Sequence, residues 1–170
     1  MDGFVVRDGN EADVDALLDI ERRAARLLLD RGGLDLFAMH GLSRDDLDAG
    51  IREGILHVVE TGGARAGFAL AGEVDGNAHL FEIDVLPEHG RHGIGSALLE
   101  SVCAEATRRG YPAITLTTLR DVPWNAPFYA RRGFAEFDEA AWGDQLRGIV
   151  GRERLLGFPA GLRVAMHRRL

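Results

Sequence analysis

Two stretches of the chain hold residues whose types and spacing suit a chemical step. The first runs Glu82-Ile83-Asp84-Val85-Leu86-Pro87-Glu88-His89-Gly90-Arg91-His92-Gly93-Ile94-Gly95-Ser96-Ala97-Leu98-Leu99. Its opening reads as a strand, its middle as a glycine-containing loop, and its end as the start of a helix. A helix start presents N–H groups without intrahelical acceptors and the positive end of the peptide dipoles. That arrangement attracts anions, and glycine lets backbone come close to a ligand. Arg91, His92, Gly93, Ile94, Gly95 and Ser96 are therefore read as an anion cradle suited to a pyrophosphate. The second stretch is Trp124-Asn125-Ala126-Pro127-Phe128-Tyr129-Ala130-Arg131-Arg132-Gly133-Phe134. Its Tyr129 carries a phenol, a group of pKa about 10.

Rival phosphate chemistries fail on the same residues. A dinucleotide fingerprint requires a small third residue where Leu98 stands, and an acidic residue about 20 positions on, where the chain reads Ala-Ile-Thr-Leu-Thr over 113–117. A P-loop requires lysine, and all 20 basic residues of this chain are arginine. The same absence excludes Schiff-base chemistry and a lysine base.

These residues need a scaffold. Phe4–Arg7 reads as a strand, and Asn10 with Asp13 opens a helix along Val14, Leu17, Leu18, Ala25 and Leu28 that Gly32-Gly33 should end. Ser43 with Asp46 marks a second helix start and Gly54 its stop. Strands are expected over 55–59, 66–74 and 79–86, with a hairpin turn at Asp75-Gly76-Asn77. Pro87 ends the third, because proline cannot donate to a ladder. A helix over 93–109 follows, its apolar stripe Ile94, Leu98, Val102 and Ala106, then a strand over 113–117. A strand–helix–strand unit makes part of the sheet parallel. A short helix over 125–131, a strand from Phe134, a polar helix and a strand over 162–166 complete the chain. The expectation is one α/β domain spanning 1–170, a mixed sheet flanked by helices.

The chain has 170 residues and a net charge of −7. That size supports one core, burying roughly 70% of the unfolded surface. The acidic balance argues against nucleic-acid binding, which needs a basic face. No apolar run approaches the roughly 20 residues of a membrane span. The single cysteine, Cys103, permits no intramolecular disulfide and no cysteine zinc cluster, so no metal is expected and a reducing cytoplasm is the natural compartment.

Three motifs in order, Val85-x-Pro87, then Gly93-Ile94-Gly95-x-Ala97-Leu98-Leu99, then Phe128-Tyr129-x-x-x-Gly133-Phe134, resemble the GCN5-related N-acetyltransferase family. The order of elements agrees over nearly the whole chain. The resemblance implies the splayed mixed sheet of the acyl-CoA N-acyltransferase fold. Acetyl-CoA would lie between the strand ending at Val85 and the one near Ile114–Leu116, its pyrophosphate on the amides from about Arg91 to Ser96. Its pantetheine arm would pair with the backbone of Ile83 and Val85. Gly90 stands where the family usually opens the loop with glutamine or arginine, and Val122 where it commonly has asparagine. Asn125 and Phe128 are carried over as cofactor contacts.

The implied reaction is direct attack of a primary amine, from a small molecule or a peptide, on the thioester. An N–H of Ile83 or Val85 would stabilise the oxyanion. Tyr129 would act as the acid. Simple strand alternation puts His79, Phe81, Ile83 and Val85 on one face and Leu80, Glu82 and Asp84 on the other. Glu82 is the first candidate base, Asp84 the second and His79 the third. The acceptor would meet residues 20–54 and 137–161, whose aspartates 30, 35, 45, 46 and 48 favour a cation and whose 34–39 stretch offers an apolar wall. Trp124 would pack below Tyr129 or line the acyl tunnel, and Trp142 would anchor the tail helix. A homodimer is a family expectation. The competing reading is a non-catalytic acyl-CoA-binding module, without turnover and indifferent to Tyr129→Phe.

Overall fold

Each helix start is written in the sequence as a cap. A computed structural model describes residues 3–29, 41–155 and 161–170. Asn10 and Asp13 form a reciprocal capping box on a 3-10 turn, Glu11–Asp13, that runs into helix α1, Val14–Leu29. Ser43 and Asp46 form a second box at the start of α2, Arg44–Arg52. Both starts match the expectation. The Gly32-Gly33 stop, Asp30, Asp35 and the 34–39 stretch lie outside the described residues.

The described strands are β1 Phe4–Asp8, β2 Ile55–Thr61, β3 Ala64–Val74, β4 Asn77–Val85, β5 Ala113–Leu119, β6 Ala135–Glu136 and β7 Arg163–Arg169. They form a seven-stranded sheet in the order β1-β2-β3-β4-β5-β7-β6. The β4–β5 pair is parallel and its register covers Ala78↔Ile114 to Leu80↔Leu116. The β1–β2, β2–β3, β5–β7 and β6–β7 pairs are antiparallel. The mixed sheet follows from the crossover helix α3, Ile94–Arg108, which joins β4 to β5. Its stripe Ile94, Leu98, Val102 and Ala106 is buried, with Cys103 beside it in the core. Two shorter helices are α4, Ala126–Ala130, and α5, Asp144–Leu155.

The chain divides into two compact units. The first comprises residues 1–72 and 81–105. Its core sets Val14, Leu17 and Ile20 of α1 and Leu47 of α2 against Leu56, Val58, Phe68, Leu70 and Leu86. His57 and Ser101 hydrogen-bond at 2.7 Å and tie β2 to α3. The second unit comprises residues 73–80 and 106–170. There Val74, Leu146, Val150 and Ala165 form the core, with Phe137 and Trp142 against it. Trp142 anchors this region as expected, donating from Nε1 to the Phe137 carbonyl at 3.1 Å.

The β3–β4 turn is tighter than the three residues expected. Asp75 and Gly76 both have positive φ, 51° and 74°, the mark of a two-residue I′ hairpin. The Asp75 carboxylate also accepts from the amides of Gln145 (3.0 Å) and Leu146 (2.9 Å), while Gln145 Oε1 accepts from the Asp75 amide at 2.5 Å. Gly143 precedes α5 and has no side chain to cap it, so the hairpin supplies the cap.

Candidate active site

The glycine loop folds as a helix start. Pro87–His89 form a 3-10 turn, closed by the His89 amide on the Leu86 carbonyl at 2.8 Å. The first α3 hydrogen bond runs from the Ala97 amide to the Gly93 carbonyl, 3.0 Å. The amides of Ile94, Gly95 and Ser96 thus precede the helical ladder. Gly93 has φ 85° and open space where a Cβ would stand. Its glycine is required by the backbone angle. Arg91 adopts φ 62°, a left-handed conformation uncommon outside glycine. Arg91 and His92 are both exposed beside the helix start.

Strand β4 departs from simple alternation. The Phe81 ring lies 2.9 Å from the position of a Cβ built on Gly72, which shares a β3 face with Leu70 and Phe68. Leu86 packs in the same core as Leu70 and Phe68. Phe81 and Leu86 are five residues apart, an odd number, yet they reach the same face. One extra residue is therefore inserted between them. The hydrogen bonds agree. The I′ turn pairs Val74 with Asn77, and the Leu86 amide donates to the Ala66 carbonyl at 2.9 Å, so nine steps along β4 match eight along β3. This is a β-bulge. It interrupts the simple side-chain alternation of β4 between Phe81 and Leu86, the stretch that holds Glu82 and Asp84.

The Asp84 carboxyl is held well above the usual carboxylate range, first by loss of water, then by the negative charges of Glu82 and Glu21. Glu21 is a buried residue of α1, and burial raises it as well, against a hydrogen bond from the Leu42 amide. Of the three candidate bases, Glu82 and Asp84 are half-buried. The third, His79, is 1% exposed in the second unit. Its Nδ1 lies 2.8 Å from Thr115 Oγ1, and burial pushes it down to about 4. His79 is a neutral core histidine.

The second unit contains Tyr129. It is buried on α4, its ring edge-on to Phe128 (5.1 Å) and Phe134 (5.6 Å). The Arg132 guanidinium covers Phe128 at 3.7 Å. Asn125 begins α4 and makes no side-chain cap bond. Trp124 is 40% exposed. Among the described residues no group of three or more His, Cys, Asp or Glu is arranged to hold a metal ion, and no helix is long and apolar enough to cross a membrane.

The acetyltransferase (GNAT) family model matches residues 15–134, more than half the chain and including the loop, the bulged strand and Tyr129. The chain belongs to that family. As a member it is an acyl-CoA-dependent N-acetyltransferase. Solved structures share its fold at low identity. N-acetylglutamate synthase from Neisseria gonorrhoeae, complexed with coenzyme A and N-acetyl-glutamate, is 20% identical with a TM-score of 0.75. The match covers 100% of this chain and 36% of that one, so the acetyltransferase spans about a third of the synthase. PaiA N-acetyltransferase from Thermoplasma acidophilum, in complex with coenzyme A, is 15% identical with a TM-score of 0.74, covering 99% of each chain. The ribosomal-protein-S18-alanine N-acetyltransferase from Escherichia coli is 21% identical with a TM-score of 0.70, covering 98% of this chain and 94% of that one.

One residue of this acetyltransferase's carboxyl group escaped the sequence reading. Glu21 falls four after Leu17 and seven after Val14, in register with the buried stripe of α1. An acid at a core-facing helical position is the signal.

Proposed function

We propose that the enzyme transfers an acetyl group from acetyl-CoA to a primary amine, of a small molecule or a peptide, by direct attack. The observation that carries this reading is Asp84, a carboxyl without a cationic partner among the charges that shift it, on a bulged strand that leads straight into the amide-rich loop.

The pyrophosphate binds the amides from Arg91 to Ser96, with Arg91 and His92 alongside. Bonds to these amides are charge-assisted, stronger than neutral ones. The pantetheine arm pairs with the backbone of Ile83 and Val85, and Asn125 and Phe128 complete the cofactor contacts. A bulge leaves a backbone group out of the ladder. The N–H of Ile83 or Val85 then faces the thioester oxygen and stabilises its developing charge. Asp84, supported by Glu82, removes the proton from the acceptor ammonium. Its raised proton affinity suits a base working near neutral pH. The amine attacks the carbonyl carbon, the C–S bond breaks, and Tyr129 protonates the departing thiolate.

The test is release of free thiol from acetyl-CoA across a panel of small amines and peptide amino termini, with Asp84→Asn and Tyr129→Phe in parallel. Release with one acceptor class, lowered about 100-fold or more in Asp84→Asn and at least tenfold in Tyr129→Phe, supports the reading. Undiminished release in both variants sinks the residue roles. Coenzyme binding with no release for any acceptor points instead to a binding module.

A further inference from the structure

The acyl transfer described above leaves three polar side chains of the first unit unused, Asp8, His57 and Ser101. Asp8 and His57 are cross-strand partners in the β1–β2 register, so their side chains share a face of the sheet. That face is the one opposite α1 and α2, because Leu56 and Val58, on either side of His57, enter the core with those helices. Ser101 reaches His57 from α3. It stands seven residues after Ile94 and three after Leu98, on the buried side of that helix. A hydroxyl at such a position needs a partner, and the His57 ring supplies it, with Nδ1 2.7 Å from Ser101 Oγ. On the far side of the ring, Nε2 lies 3.4 Å from Asp8 Oδ1. The strand end that carries Asp8 is held by its backbone. Arg7 Nη1 donates to the Asp8 carbonyl at 2.8 Å, and the Gly9 amide donates to the Leu56 carbonyl at 2.8 Å. His57 is buried, Ser101 half-buried and Asp8 exposed.

The place of Asp8 selects the tautomer of the ring. A carboxylate accepts and does not donate, so the proton of the neutral imidazole sits on Nε2, facing Asp8. Nδ1 then carries a lone pair, and the Ser101 hydroxyl donates to it. A hydroxyl donating to an imidazole whose other nitrogen faces a carboxylate supplies a nucleophile, its base and the acid that orients the base. We propose that Ser101 is a second nucleophile of this enzyme, taking an acyl group from activated esters or thioesters with His57 as its base. Ser101 Oγ bonds to the acyl carbon as its proton passes to His57 Nδ1. The bond from that carbon to the leaving oxygen or sulfur breaks. The leaving group then takes the proton from the imidazolium, whose charge Asp8 stabilises in the interval. The products are an acyl-serine and a free phenol or thiol. The donor must carry a good leaving group, because the trio contributes a nucleophile and a base alone. Neither Asp84 nor Tyr129 takes part, so the inference stands apart from the roles proposed for them.

The experiment incubates the whole enzyme with p-nitrophenyl acetate in one arm and with acetyl-CoA alone in the other, and locates added acetyl groups by peptide mass spectrometry. The chain has no lysine, so no ε-amino group competes for the label. The expected result is acetyl on Ser101 from the aryl ester, formed in step with release of nitrophenolate. Label there from acetyl-CoA as well identifies the cofactor as a donor, and label from the aryl ester alone identifies small esters. His57→Gln is expected to slow labelling of Ser101 by about 100-fold, through loss of the base. Asp8→Asn is expected to slow it roughly threefold, since an amide no longer selects the tautomer. Absence of acetyl at Ser101 in both arms overturns the proposal, and so does labelling at an unchanged rate in His57→Gln. If His57→Gln does not fold, an unchanged rate in Asp8→Asn, a substitution at an exposed position, overturns it equally.

Discussion

Asp13 and Asp84 are carboxyls of the same compact unit, one fully buried and one half-buried, and they are treated in opposite ways. Asp13 is fully buried and accepts from Arg7 Nη1 and Nη2, both at 2.8 Å, and from Arg65 Nε at 2.9 Å. Glu60 shares Arg7 at 2.6 Å. These guanidinium bonds hold the Asp13 carboxyl far below the usual carboxylate range. Among the described residues, the charges that shift Asp84 are two acids and no arginine, and it is held well above that range. A chain with 20 arginines lacks no means to neutralise Asp84. The first arrangement stabilises a fold. The second fits the proton-transfer role proposed for Asp84, at a cost to stability.

The sharpest way to break the contrast is to neutralise each aspartate in turn. Asp13→Asn takes the buried carboxylate from two arginines, leaving them Glu60, and is expected to destabilise the enzyme by about 3 kcal/mol in urea unfolding. Asp84→Asn is expected to reduce turnover by about 100-fold while leaving the unfolding midpoint equal or higher, since it removes an uncompensated acid. Equal destabilisation by both variants would erase the distinction.

The pH dependence of stability should separate them next. The Asp13 carboxyl is depressed in the folded state, so its stabilisation is present above its unfolded value of about 4 and is lost as pH falls below that. The Asp84 carboxyl is raised, so the folded state binds the extra proton, and its contribution declines as pH rises above about 4 toward its folded value. Urea unfolding over pH 3 to 8 is expected to show Asp13→Asn flattening the acid side and Asp84→Asn flattening the side above pH 4. The smallest effect is expected at Gly41→Ala. A Cβ there must displace the Glu21 carboxylate, at a cost of about 1 kcal/mol in the same measurement.

Much of this contrast could be read before the structure. The capping boxes at Asn10–Asp13 and Ser43–Asp46, the strand order around α3 and the amide loop follow from residue types with local physical signatures. So did the singling out of Glu82 and Asp84. What could not be read was their orientation, because a bulge in β4 needs no special residue type and shifts the side-chain period by one. The partners of Asp13 were equally hidden. Arg7 and Arg65 lie 6 and 52 residues away, and only the pairing of β1 with β2 and β2 with β3 brings them together. Glu21 was legible, an acid four residues after Leu17 in the buried stripe of α1.

The cap that Asp75 places on α5 has a consequence for how this enzyme could be rebuilt. Helix α5 borrows its first-turn acceptor from a turn some 70 residues earlier, and a Cβ on Gly143 would stand 2.2 Å from the Asp75 Cγ. The helix and the turn therefore form one transplantable part, split in sequence but joined in space. A chimaera that imports a foreign tail helix while keeping this turn inherits a lock without its key, and the pieces to exchange together are residues 73–77 with 143–155.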